Sequence, residues 1–185
     1  MAGEPTNFVA KLKESLGNAG WHERVLALEV RPKKYGFVVL EGPDVLLDWG
    51  IRSYRNEQIV RSGRFDSLLQ SYAPHCVVIR LRRHHSQKAA EAVRNAITEI
   101  SDDMGRHSIK TRFISWTTIR RIFERRGCKN KHQIHSLLAE WFDEISWKLP
   151  ARRRPWQSER PNTLLFDALA TGVAFFVRSS NGTIL

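Results

Sequence analysis

The 185-residue sequence carries 30 Lys+Arg against 19 Asp+Glu, a formal charge of +11 and a pI near 10.3. Its 42% hydrophobic and 26% charged residues are ordinary globular values, which excludes wholesale disorder. Two cysteines, Cys76 and Cys128, exclude a secreted disulfide framework, and no stretch reaches the roughly 18 apolar residues that a membrane span needs.

The first twenty residues hold no apolar signal core, so a soluble cytoplasmic protein is expected. They are read as an appendage (residues 1–20), with Thr6 capping a short helix over 6–16, ahead of one domain over 21–185. Residues 25–30 (VLALEV) form a continuous apolar run suited to a strand buried on both faces. A turn at 31–34 leads into a second strand over 35–41, and Gly42-Pro43-Asp44 turns into a third over 45–51. Three strands joined by short turns predict an antiparallel meander.

Strands and helices then alternate. Asn56 is a cap for a helix over 57–70, and 75–81 (HCVVIRL) is a second buried strand. A helix over 86–104 places Val93, Ile97, Ile100 and Met104 on one stripe. Residues 109–114 alternate Lys110 and Arg112 with apolar positions, as on a sheet edge. Ser115 caps a helix that ends at Gly127. Asn130 caps another, whose apolar face runs from Ile134 to Ile145. A Pro/Arg-rich loop over 150–161 precedes a last helix over 162–177. The expected fold is α/β, a mixed five-stranded sheet covered by helices on both faces.

An excess of positive charge favours a polyanionic partner, nucleic acid above all, through counterion release. The charge is clustered: residues 106–131 hold nine Lys/Arg and one acid, Glu124. Candidate nucleic-acid contacts are Lys33 and Lys34 in the first turn, Arg82 and Arg83 after the fourth strand, and Lys110 and Arg112 on the fifth. Arg120, Arg121, Arg125 and Arg126 fall on neighbouring turns of one helix, a stripe suited to positioning phosphates. Arg152, Arg153, Arg154 and Trp156 would grip a strand by charge and stacking. A solvated surface is the plainer reading of the charge blocks, and Trp156 alternatively anchors its loop to the core. Cys128, His132 and His135 offer zinc-type donors, but the spacing lacks paired cysteines and a fourth ligand. A packing or surface role is therefore expected for His135.

The element order resembles the RNase H-like superfamily, and most of all its RuvC-type Holliday-junction resolvases. In VLALEVRPKKYGFVVL, Glu29 stands where that branch places a catalytic Asp, and Gly36 stands for the glycine of the following turn. In CVVIRL, Arg80 stands where a catalytic Glu is expected. In FDALATGVAFF, Asp167 matches the Asp of the final helix, while Leu164 takes an upstream position that often holds another acid or His. The resemblance covers about residues 24–177 and implies Glu29 and Asp167 as catalytic or metal-ligating residues, with Mg²⁺ or Mn²⁺ as cofactor if the protein is active. It also favours branched DNA as partner and a homodimer.

The departures bear directly on chemistry. Two-metal hydrolysis needs several carboxylates around ions about 4 Å apart, and Arg80 is a permanent cation at an acid position. Three arrangements are open: Arg80 neutralises Glu29 and Asp167; Arg80 leans out to solvent or phosphate; or another acid, such as Asp48, Glu41 or Glu159, completes the site. The expected function is a nucleic-acid-binding, RuvC-like pseudo-nuclease with no cofactor. The alternatives are an active divalent-metal-dependent endonuclease using Glu29, Asp167 and a third acid, and a non-enzymatic protein-interaction module.

Overall fold

The computed structural model describes residues 23–54, 64–82, 86–152, 154, 156 and 160–180. The expected N-terminal helix, the start of the helix capped by Asn56, and Arg83, Arg153 and Glu159 lie outside them. The five strands are β1 (Arg24–Arg31), β2 (Lys34–Glu41), β3 (Val45–Ser53), β4 (Cys76–Leu81) and β5 (Lys110–Ser115). The helices are α1 (Arg64–Tyr72), α2 (Gln87–Arg106), α3 (Trp116–Glu124), α4 (Lys131–Trp141), α5 (Asp143–Ser146) and α6 (Thr163–Ser180). Sheet order is β3-β2-β1-β4-β5. β1 pairs antiparallel with β2, and β2 with β3. β4 runs parallel to both β1 and β5. This is the expected mixed sheet, with β1 at its centre.

Period-2 alternation along β1 divides the core. Val25 and Ala27 pack with Val38, Val78, Ile119, Phe123, Leu138 and the inner side of α6. Leu26, Leu28 and Val30 pack on the opposite face with Phe65, Leu68, Val93, Ile100 and Met104 of α1 and α2. Burying one such aliphatic side chain contributes about 1.5–3 kcal/mol, so a strand enclosed on both faces is held in register from two sides.

Helix α6 is buried nearly all round, as its apolar sequence demands. Two glycines let it lie close to the sheet. A Cβ on Gly172 would stand 2.6 Å from Leu40 Cδ1, and one on Gly36 would stand 2.6 Å from the Leu164 carbonyl oxygen. Gly36 therefore lies in β2, opposite Glu29 in the β1–β2 register, and not in the turn that the resemblance suggested. The turn is Pro32-Lys33, with Lys33 at φ 68°.

The caps follow the sequence. Ser115 accepts from the Thr118 amide at 3.1 Å, and Asn130 from the Gln133 amide at 3.0 Å. The helix expected to run on to Ile145 breaks at Phe142, whose φ −121° and ψ 88° are not helical. Phe142 and Ile145 nonetheless stay buried with α6.

Candidate functional site

Glu29 and Arg31 lie two residues apart on β1 and so share a sheet face. Arg80 projects from the same face of neighbouring β4, and Asp167 comes down onto it from α6. Both carboxylates are fully buried, at 0% exposure. Arg80 donates from Nε to Glu29 Oε2 and from a terminal nitrogen to Oε1. That terminal nitrogen also reaches Asp167 Oδ2 at 3.1 Å. Arg31 makes a parallel bridge, with Nε 2.6 Å from Glu29 Oε1 and a terminal nitrogen 3.3 Å from Asp167 Oδ2. The first of the three arrangements left open by the sequence is the one observed.

Helix α4 supplies two more partners. Its first residue, Lys131, places Nζ 2.8 Å from Asp167 Oδ2, and one turn later His135 Nε2 sits 3.1 Å from Oδ1. Burial, above all, lowers the pKa of His135; Asp167 opposes that shift, and Lys131 and Arg80 add to it. A neutral imidazole beside a carboxylate carries its proton on the facing nitrogen, so Nε2 donates. Burial alone would raise the pKa of Asp167. The His135 hydrogen bond and the charges of Arg80 and Lys131 overcome it and hold the carboxyl well below the usual carboxylate range. The Trp116 ring closes one side, 5.2 Å from Arg80 Cζ and 5.9 Å from Lys131 Nζ, both within cation–π range.

The charge balance decides what this pocket accepts. Two carboxylates are contacted by three cations, Arg31, Arg80 and Lys131. Arg82 adds a fourth cation 3.9 Å from Glu29. A divalent ion about 4 Å from a single guanidinium is repelled by roughly 8 kcal/mol at an effective dielectric of about 20. Its carboxylate ligands are already occupied. The residues present therefore do not fit the Mg²⁺ or Mn²⁺ that the resemblance implies.

Of the other acids proposed to complete a metal set, Glu41 and Asp48 lie elsewhere, and Glu159 is outside the described residues. Glu41 pairs with Arg24 at 2.8 Å, at the far end of β1, and Asp48 accepts from the Trp49 amide on β3. Leu164 is buried apolar packing. Among the described residues, no group of three or more His, Cys, Asp and Glu side chains is placed to hold a metal ion. Cys128 is buried in the core, and burial pushes its thiol pKa up.

The basic residues expected to meet nucleic acid are spread more widely. Arg120, Arg121, Arg125 and Arg126 are exposed opposite the buried Ile119 and Phe123. Arg120 is paired with Glu124 at 2.6 Å. Lys33 and Lys110 are exposed, and Lys34 and Arg112 are half-buried. Arg152 and Arg154 are exposed, and Trp156 is 76% exposed with the Arg154 guanidinium 5.7 Å from its ring. Sequence reasoning missed Arg31, Lys131 and His135 as site residues. The i,i+4 spacing of Lys131 and His135, on a helix with a clear cap, was the available signal.

No family model matches the sequence, and no curated protein matches it with significance. Solved structures do. T. thermophilus RuvC in complex with a Holliday junction substrate aligns with a TM-score of 0.64 at 14% identity, over 88% of this chain and 98% of that one. Thermus thermophilus RuvC aligns with a TM-score of 0.64 at 16% identity, over 86% and 97%. The yeast mitochondrial Holliday junction resolvase Ydc2 aligns with a TM-score of 0.56 at 10% identity, over 92% and 88%. The fold is thus the RNase H-like mixed sheet, as in RuvC.

Proposed function

We propose that this protein binds structured nucleic acid, branched DNA in particular, and that an internal ion-pair cluster has replaced metal-dependent cleavage at its acidic centre. The observation that carries this reading is the Arg80 guanidinium bonded to both Glu29 and Asp167, the two acids at the resolvase-like positions. The charge of +11 and the exposed Arg120 and Arg121 of α3, with Arg125 and Arg126 just past its end, support the binding half. The likeness to a RuvC that is bound to a Holliday junction supports DNA with a branch. A homodimer is part of the proposal, and sedimentation equilibrium tests it.

The deciding experiment titrates a four-way junction and a linear duplex into the protein at two salt concentrations, with Mg²⁺ or with EDTA. Tight, salt-sensitive binding that prefers the junction, with the DNA intact in both buffers, is the expected result. A protein making 6–10 phosphate contacts loses about 10³–10⁵ in affinity between 50 and 200 mM salt. Cleavage that stops with EDTA and in Asp167→Asn would instead make the protein an active endonuclease. Weak binding with no preference even at low salt would point to a protein-interaction module.

A further inference from the structure

We infer that Trp147, backed by Trp49 and Lys148 at the β3 edge of the sheet, is a platform on which one unpaired base of the bound nucleic acid stacks. The inference rests on the nucleic-acid reading above and names the part of the ligand that this surface takes. Tryptophan is on average a well-buried residue, yet Trp147 is 72% exposed. It is exposed and also held. Its Nε1 donates to the Glu144 carbonyl at 3.1 Å, and the Trp49 ring meets it edge to face, 6.2 Å away at 72°. Lys148 Nζ lies 4.2 Å from the Trp147 ring centre and 5.2 Å from that of Trp49, so one cation serves both rings.

The backbone beneath is pinned as well. Ile145 of α5 is buried in the core, and the amides of Lys148 and Leu149 donate to the Ile145 and Ser146 carbonyls at 2.9 and 3.0 Å. Asn162 Nδ2 reaches the Lys148 carbonyl at 3.1 Å. Trp49 stands opposite Val38 in the β2–β3 register and packs against the same core. A ring fixed this way loses little freedom when a ligand covers it. A wide π face accepts any base, and base faces inside a duplex are already stacked, so an unpaired base is the group that fits. Local charge contributes little, because the exposed Asp143 and Glu144 of the same turn offset Lys148. The net charge of +11 draws in the polyanion, and this surface then takes a base by its face. Its share of the affinity should therefore be nearly independent of salt, unlike phosphate contacts.

The test pairs a protein variant with modified DNA: a mixed-sequence single strand, and the same strand made abasic throughout, which keeps the phosphates and removes the bases. Trp147→Ala should lose about fivefold or more in affinity for the base-bearing strand and nothing for the abasic one. Its salt slope should match the wild type's. Trp147→Phe should recover part of the loss, and an unchanged urea midpoint checks that the variants fold. Equal losses on both strands, or a base preference lost in Trp156→Ala but kept in Trp147→Ala, would overturn the platform. So would unchanged affinity of Trp147→Ala for both strands, which would leave this surface to a protein partner. If the wild type binds the junction but neither strand, the platform falls and the nucleic-acid reading stands. If it binds neither junction nor strand, both fail.

Discussion

The Arg80 guanidinium spans the gap between β4 and β1 to grip both oxygens of Glu29. Breaking a buried pair from one side leaves an uncompensated charge, at a cost of about 3–5 kcal/mol, whereas replacing both partners by apolar groups is often neutral. Arg80→Met removes two charged bonds from Glu29 but leaves Arg31 on it, so the loss in urea denaturation should fall below that range, at about 1.5–3 kcal/mol. Adding Glu29→Met should restore most of that loss, because Arg31, Lys131 and His135 still hold Asp167. A double variant as unstable as the single one would show that Glu29 and Arg80 do not act as a pair.

Acid should destabilise the fold in two stages. The folded pKa of His135 lies below its unfolded value of 6.5. Between the two values the unfolded chain binds a proton that the fold refuses, so stability falls as pH drops below about 6.5. The pKa of Asp167 is also depressed on folding, so its contribution is full above its unfolded value of 3.8 and is lost as pH falls toward the folded one. His135→Gln keeps a donor toward Asp167 and does not titrate. Its Tm should decline less than the wild type's between pH 7 and pH 5, and superimposable curves would contradict this role for His135.

Gly36 controls how closely α6 approaches β2. Gly36→Ala would drive a methyl group to 2.6 Å from the Leu164 carbonyl oxygen, and backbone yields poorly. A cost of about 1–3 kcal/mol is expected, typical of overpacking. Gly105→Ala makes the contrast, since a Cβ there meets nothing within 4 Å in the last turn of α2. It should stabilise by up to about 1 kcal/mol through helix propensity alone. Chemical denaturation of the two variants checks the signs.

The sheet was legible because its signals are local: the apolar run of β1, the turn at Gly42-Pro43, and the alternation of Lys110 and Arg112. Glu29, Arg80 and Asp167 were legible through the resemblance alone, which sets them at the acid positions of the resolvase branch. The rest needs tertiary placement. Nothing in the sequence says which side of α4 meets Asp167, so His135 read as a packing or surface residue beside an apolar stripe. The helix break at Phe142 carries no Gly or Pro to announce it, and the apolar period continues across it. Gly36 carried a real constraint that was assigned to the wrong cause, because a glycine needed for close helix approach and one needed for a turn look alike in a single sequence.

The central claim is that cations inside the fold have taken the place of metal. Titration calorimetry with Mn²⁺ and Mg²⁺ on the wild type and on the triple variant Arg31→Gln/Arg80→Glu/Lys131→Gln addresses it directly, because Arg31 and Lys131 would still occupy both acids if Arg80 alone were changed. No binding heat is expected from the wild type, and saturable Mn²⁺ binding from the triple variant, where a third carboxylate would join Glu29 and Asp167. Saturable uptake of two ions by the wild-type protein would contradict it.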